Sequence, residues 1–409
     1  MQAVIIGNSA AGLAAAKAFR KYDQNSSLIM ISKEGEIPYS RVLLPYVLRG
    51  KLTRDKLFIR EKNYYQQQQI DFVGGEVVSL AVDRRELGLK DGSRIPFDKL
   101  LIATGSYAVA PPIPGINQPG IYHMWTKDDL DQLTPLFDTR KKVVILGSGF
   151  IALQAAWSAY NRGLAVEVVE IAARIMPNVL DQKGGNLIVE QLAKIGIKLH
   201  TSTVTEKIEP NPAGGLWVYL REQEPIACDF MIVGTGVRSN IGFLAESGVI
   251  TERAVPVDAY MQTNIEGIYA AGDVAAGPTA FGDPHLTHAL WPTAVEMGEV
   301  AGANMAGAEI AYSGSLNMNV TQMFNLTVAS MGIFNDDQID DSYVFDMADV
   351  QGYLKVCYKN GLIVGLCLVG GSESVALFGK LRPIIRKKIP VECIPQKLED
   401  YLTVRLFKK

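Results

Sequence analysis

The stretch Ala3-Val4-Ile5-Ile6-Gly7-Asn8-Ser9-Ala10-Ala11-Gly12 decides the fold. Four apolar residues with strand character run straight into a glycine-bounded turn, and the alanine-rich Leu13 to Tyr22 follows with high helix propensity. Strand, tight turn and helix N-terminus together make a phosphate site. The unpaired N–H groups of the first helical turn and the positive end of the helix dipole face a pyrophosphate. The turn departs from G-x-G-x-x-G once, where Ser9 replaces the second glycine. Gly7, Ser9, Ala10, Ala11 and Gly12 are the expected contacts. Further on, Leu28-Ile29-Met30-Ile31 reads as a second strand ending at Ser32-Lys33-Glu34. In such folds the acidic residue that holds a ribose lies near the end of this strand. Ser32 occupies that place, and Glu34 is the expected carboxylate.

The next segments are less regular. Ile37 to Tyr46 sets an aromatic, a hydroxyl and Arg41 between two prolines, and Arg41 is suited to an anionic cofactor group. Residues 71–95 read as short strands, Val77 among them. Phe97 to Ile102 is an apolar strand ending on Ala103-Thr104-Gly105, small residues that let a ligand approach the backbone. Tyr107 to Pro119, with four prolines, reads as a linker.

The unit then repeats. Lys142 to Leu146 is a strand, and Gly147-Ser148-Gly149-Phe150-Ile151-Ala152 is a full G-x-G-x-x-A fingerprint opening a helix over about Phe150 to Asn161. Val166 to Val169 is the next strand, and Glu170 closes it 23 residues after Gly147, near the spacing of a ribose-binding carboxylate. Asp229 to Gly236 echoes Asp98 to Gly105. Gly7 to Gly105 spans 98 residues and Gly147 to Gly236 spans 89, so one unit occurs twice and two dinucleotide sites are expected. Glu170 suits a free ribose 2′-hydroxyl and repels a 2′-phosphate, which favours NADH over NADPH; Arg174 is the nearest arginine.

Pro256 to Ala275 then reads as a return to the first unit, closing on Gly272-Asp273, where the aspartate can accept a hydrogen bond from a ribityl hydroxyl. A helix rich in small residues runs from about Pro292 to Met305; its N-terminus suits a flavin pyrimidine oxygen. In the last hundred residues, Tyr353 to Val369 reads as a hairpin turning at Asn360-Gly361. Asn335 to Asp349 holds six aspartates, and Lys380 to Lys388 holds five basic residues.

Composition bounds the function. The 409 residues are 48% hydrophobic with net charge −3, which implies a sizeable core and gives no global reason to expect nucleic acid or a membrane surface. No apolar run reaches the about 18 residues of a spanning helix. A strand starting at residue 3 leaves no room for a signal peptide, so a cytoplasmic protein is expected. Four cysteines without C-x-x-C predict neither a disulfide framework nor an iron–sulfur or zinc site. Cys357 and Cys367 flank the hairpin turn three to four residues out of line. That is about 10–13 Å at strand rise, beyond disulfide reach. His285 and His288, just before the small-residue helix, are read as shaping the loop, with assistance to protonation during reoxidation as the alternative, and His123 and His200 show no partner pattern.

Taken in order, Gly7 to Gly12, Ala103-Thr104-Gly105, Gly147 to Ala152 with Glu170, and Ala271-Gly272-Asp273 resemble the FAD-dependent pyridine nucleotide–disulphide oxidoreductases over essentially the whole chain. Tyr39-Ser40-Arg41 with Leu43-Leu44, and Trp291 with Ala294, Gly298 and Ala301-Gly302, are similar to the NADH:rubredoxin oxidoreductase and nitrite-reductase-like branch. The resemblance implies an α/β fold with two doubly wound, Rossmann-like dinucleotide-binding domains and a small α+β C-terminal domain. The FAD domain, 1–108 and 253–315, is split around an NAD domain, 109–252; residues 316–409 often form a dimer interface in such proteins. It also implies FAD and NAD as cofactors, contacts from Val77, Phe150, Ile151, Trp291 and Ala294, and hydride transfer from NADH to flavin N5 without a protein acid or base. Two departures narrow the chemistry. Residues 37–50 hold no redox cysteine, and Gln154 stands where the family often has glutamate. The expected acceptor is a small carrier of rubredoxin or ferredoxin type. A peroxide-forming reaction with oxygen and a low-turnover accessory role are the alternatives.

Overall fold

The computed structural model describes residues 1–282, 286–347, 352–371 and 375–390. His285, Asp349 and Cys393 lie outside them. Packing divides the chain into two units: residues 1–43, 53–107 and 237–316, and residues 44–52, 108–236 and 317–409.

The first unit holds a five-stranded parallel sheet in the order Ile268–Ala270, Lys99–Ile102, Gln2–Ile6, Ser27–Ser32, Asp71–Gly74. Its central strands are apolar and almost wholly buried, as strands covered on both faces must be. Helices Ala10–Tyr22 and Trp291–Met305 pack together at glycines. A Cβ on Gly298 would run into the Ala11 carbonyl, and one on Gly302 into the Ala15 carbonyl, so small residues on the second helix are a steric requirement. A small antiparallel sheet, Val77–Ala81, Glu86–Leu89 and Arg94–Pro96, accounts for the short strands.

The second unit repeats the plan. Its parallel sheet runs Lys198–His200, Ala165–Val169, Lys142–Leu146, Phe230–Val233, Ile121–Tyr122. In each sheet the fingerprint strand lies between the strand that follows its helix and the strand that leads to Thr-Gly. A five-stranded antiparallel sheet follows, ordered Met318–Met323, Leu326–Gly332, Leu362–Gly370, Gly352–Lys359, Asp341–Met347, with helix Val375–Arg386 packed on it.

Three details differ from the sequence reading. The chain rejoins the first unit at Val237 rather than at residue 253. The Asn240 N–H donates to Gly105 O at 2.9 Å, and Thr104 Oγ1 donates to Asn240 O at 2.9 Å, so loop hydrogen bonds set this boundary. Residues 44–52 pack in the second unit, and the C-terminal sheet belongs to it as well. The hairpin turns at Asn360 and Gly361, both with positive φ (52° and 71°) as a two-residue turn demands. A register shift between Cys357 and Tyr358 pairs Cys357 with Gly365 and Lys355 with Cys367. The two cysteines are thus two residues out of line, closer than the three to four expected, and both are free.

Candidate functional site

The first fingerprint is built by close backbone contacts. Gly7 has φ +115°, and a Cβ there would run into the Ala103 carbonyl; a Cβ on Gly12 would run into the Gly7 carbonyl. The Gly7 N–H donates to Ile31 O at 2.8 Å, and the Ala103 N–H to Ile6 O at 2.9 Å. Ser9 is the N-cap of the helix at φ −100°, ψ −157°, an extended conformation open to any residue. The missing glycine is therefore no backbone problem. The Ser9 side chain caps nothing, and Ala10 and Ala11 are buried in the first turn.

Asn8, which sequence reasoning passed over, ties the end of the second strand to the loop after it. Its Nδ2 donates to Gly35 O at 2.9 Å and to the Tyr65 hydroxyl at 3.1 Å, and its Oδ1 accepts from Ser32 Oγ at 2.9 Å. Burial pushes the Tyr65 phenol up to about 12. Glu34 and Arg41, both singled out as ligands, hold each other: Arg41 Nη2 lies 2.5 Å from Glu34 Oε1, and the Tyr39 hydroxyl donates to Glu34 Oε2 at 2.6 Å. Each carboxylate oxygen keeps a second lone pair for a ligand hydroxyl.

At the other end, Gly105 has φ +66° and open space where a Cβ would stand. Asp273 Oδ2 accepts from Ser106 Oγ at 2.6 Å, and Ser239 Oγ donates to the Asp273 carbonyl at 2.7 Å. Burial raises the Asp273 carboxyl above its ordinary value, against the Ser106 hydrogen bond and the Arg41 charge. Gly272, φ +81°, packs against Ala11 and Ala294. Trp291 opens its helix beside Pro292 and packs on the core, and no side chain caps that N-terminus. Val77 is half-buried opposite Leu89 and follows Glu76, which pairs with Lys33 and Lys90. His288 Nδ1 lies 2.7 Å from Ser315 Oγ, a loop contact.

The second fingerprint repeats the first. Gly147 has φ +101°, its N–H donates to Val169 O at 2.8 Å, and a Cβ would stand 2.6 Å from Gly234 O. Gly149 is the N-cap at φ −72°, with nothing within 4 Å of an added Cβ. Here glycine supplies room, not conformation. Phe150 and Ile151 stand half-exposed at the helix start, and Gly236 (φ +121°) is likewise open. Glu170 is 9% exposed; Ser148 Oγ donates to its Oε2 at 2.6 Å and the Ala172 N–H to its Oε1 at 2.7 Å. Ser148, the variable residue between the glycines, therefore orients the carboxylate. Arg174 Nη2 donates to Pro177 O at 2.9 Å, within its own loop. His200, read as partnerless, has Nε2 2.9 Å from Glu167 Oε2.

Glycines where helix meets strand, helix N-termini without side-chain caps, open space at Gly149 and Gly236, and a carboxylate after the second strand all fit dinucleotides in both units. Sulfur chemistry is a different matter. Burial pushes the Cys228 and Cys357 thiols up to about 12, and Cys367 well above its ordinary value. Burial thus disfavours the thiolate, the nucleophilic form, in all three. Among the described residues no His, Cys, Asp and Glu group is placed to hold a metal ion, and no helix is long and apolar enough to cross a membrane.

Residues 1–298 match the family model described as pyridine nucleotide-disulphide oxidoreductase. The chain belongs to that family. It is an FAD-dependent NAD(P)H oxidoreductase. It is 33% identical to the NADH oxidase of Methanocaldococcus jannaschii, over 96% of this chain and 92% of the relative. It is 26% identical to the NADH-rubredoxin oxidoreductase of Clostridium acetobutylicum, over 93% of each chain. In fold it is similar to the NAD-dependent persulfide reductase of A. fulgidus, with a TM-score of 0.89 and 25% identity over 96% of this chain and 78% of that one.

Proposed function

We propose that NADH, held at the second fingerprint, gives a hydride to FAD held at the first, and that the electrons leave to a small carrier of rubredoxin or ferredoxin type. The observation that carries this reading is the pairing of two nucleotide fingerprints with cysteines that burial keeps as thiols. Electrons then have no sulfur route within the described residues, and direct passage is left. When bound, FAD would supply acceptance of the hydride and release of its two electrons one at a time to one-electron acceptors, with the proton passing to solvent. The protein supplies the rest. Gly7 to Gly12 and the first helix take the FAD pyrophosphate; Glu34, fixed by Arg41 and Tyr39, faces its ribose. Asp273, hydrogen-bonded to Ser106, takes a ribityl hydroxyl. The uncapped N–H groups at Trp291 are donors for an oxygen that gains negative charge on reduction. Gly147 to Ile151 take the coenzyme pyrophosphate, and Glu170, held by Ser148 and Ala172, accepts from the NADH ribose.

The carrier is supported by the likeness to the clostridial NADH-rubredoxin oxidoreductase. Likeness to an archaeal NADH oxidase supports a second acceptor, oxygen. Without a reactive cysteine among the described residues that reaction should stop at peroxide. Composition fits a cytoplasmic setting, and the C-terminal sheet is the proposed homodimer surface. The test is anaerobic stopped-flow: NADH should bleach the flavin within a second, and reduced protein should then reduce a rubredoxin or ferredoxin at low salt. Rapid bleaching with no transfer to any carrier, and peroxide in equal amount under air, would replace the first reading with the second.

A further inference from the structure

Arg49 follows the short helix Leu44–Leu48 in the second unit and is 5% exposed. Its guanidinium lies 3.7 Å from the Trp157 ring centre and 4.9 Å from that of Tyr46. Its Nη2 donates to Gln154 Oε1 at 3.1 Å, and its buried Nε has no partner. Among the described residues no carboxylate pairs with it. The amide of Gln154 is fixed in turn: its Nε2 donates to Thr321 Oγ1 at 2.7 Å and to Gln322 O at 3.0 Å, so only the oxygen is left for Arg49. Burial lowers the guanidinium pKa, but arginine stays charged in proteins.

A buried charge without a counter-ion is expensive, and two aromatic faces offset only part of it. Its field also reaches far in a medium of low dielectric. Gln154 sits four residues beyond Phe150, about 6 Å along the helix axis at 1.5 Å per residue. Arg49 thus bonds the helix that the second fingerprint opens, at a residue five beyond Gly149 and seven beyond Gly147. NADH carries one more unit of negative charge than NAD+, because the oxidised ring is cationic and the two phosphates are shared. A fixed cation therefore prefers NADH, the more strongly the nearer the ring lies to it.

We propose that Arg49, left uncompensated by the neutral Gln154, determines redox-state specificity at the second nucleotide site: its buried charge favours the reduced coenzyme and speeds departure of the oxidised one. This rests on the reading that the second fingerprint takes the nicotinamide coenzyme. Arg49 touches no reacting atom on this account and acts through its field.

The test is titration calorimetry on the oxidised holoenzyme with three ligands that do not reduce it: NAD+, ADP-ribose, and tetrahydro-NADH, whose ring is neutral and gives no hydride. Wild type should bind tetrahydro-NADH several-fold more tightly than NAD+. Gln154→Glu places a counter-charge in nearly the same shape, and should shrink that ratio by about threefold to tenfold. Arg49→Met should do the same, and Arg49→Lys should keep the wild-type ratio. A merely structural role would weaken all three ligands alike and leave the ratio unmoved. An unchanged ratio in Gln154→Glu overturns the inference; should that variant fail to fold, an unchanged ratio in Arg49→Met does so. ADP-ribose failing to bind the wild type would overturn the site assignment and the inference with it, a result distinct from an unchanged ratio.

Discussion

Gly7 to Gly12 and Gly147 to Ala152 are two versions of one device. Both open with a glycine at high positive φ whose N–H bonds the end of the next strand at 2.8 Å. They part at the third position and at the acid. Ser9 stands extended where Gly149 leaves open space, and Glu34 is tied to a cation and a phenol while Glu170 is tied to a hydroxyl and a backbone N–H. The lesson is that packing demands the first glycine and does not demand the second. The acids differ likewise. Glu34 is paired with a cation of its own protein, whereas Glu170 is held by a hydroxyl and a backbone N–H alone among the described residues.

The sharpest way to break the comparison is a pair of alanines. Gly7→Ala forces a Cβ into the Ala103 carbonyl at a φ hostile to L-residues, and should destabilise by about 3 kcal/mol or more and purify without flavin. Gly149→Ala meets nothing, so melting temperature and flavin content should match wild type while the NADH dissociation constant rises. Equal melting losses would erase the distinction. Next in size, Glu170→Gln removes a charged acceptor from the coenzyme ribose and should raise the KM for NADH by about tenfold, near 1.4 kcal/mol. Glu34→Gln should change the FAD dissociation constant by less than about threefold, because Arg41 already meets that charge. Steady-state kinetics and flavin release measure the two.

A smaller effect concerns pH. Burial raises the Asp273 carboxyl in the folded chain, so its stabilising protonated form is fully present below the unfolded value of 3.8 and lost as pH rises through the raised value. Asp273→Asn should therefore gain stability over wild type as pH climbs from 4 to 7, seen as a widening gap between flavin-free melting temperatures. Smallest of all, Ser9→Gly should shift stability by only a few tenths of a kcal/mol, since the N-cap conformation already suits serine.

Both sheets were legible because strands buried on two faces are continuous apolar runs, and Asn360-Gly361 was legible because few other pairs accept two positive φ angles. What escaped was long-range. The bulge beside Cys357 changed the cysteine register without any sign in the local pattern. The return at Val237 rests on hydrogen bonds between Asn240 and the Thr104-Gly105 loop. Asn8 reaches Tyr65 across 57 residues and Arg49 reaches Gln154 across 105, contacts that no periodicity announces. Glu34 and Arg41 were each found, but their pairing was not, because proximity of two ligand candidates raises the prospect that they satisfy one another.

The most direct measurement is the absorbance spectrum of the purified protein, taken without air before and after one equivalent of NADH. Bound flavin bands that vanish within a second, with Cys228, Cys357 and Cys367 left unmodified by an alkylating reagent in the folded state, are the predicted result. A protein that stays colourless when offered FAD, or a bound flavin that NADH bleaches only over minutes, would contradict the account.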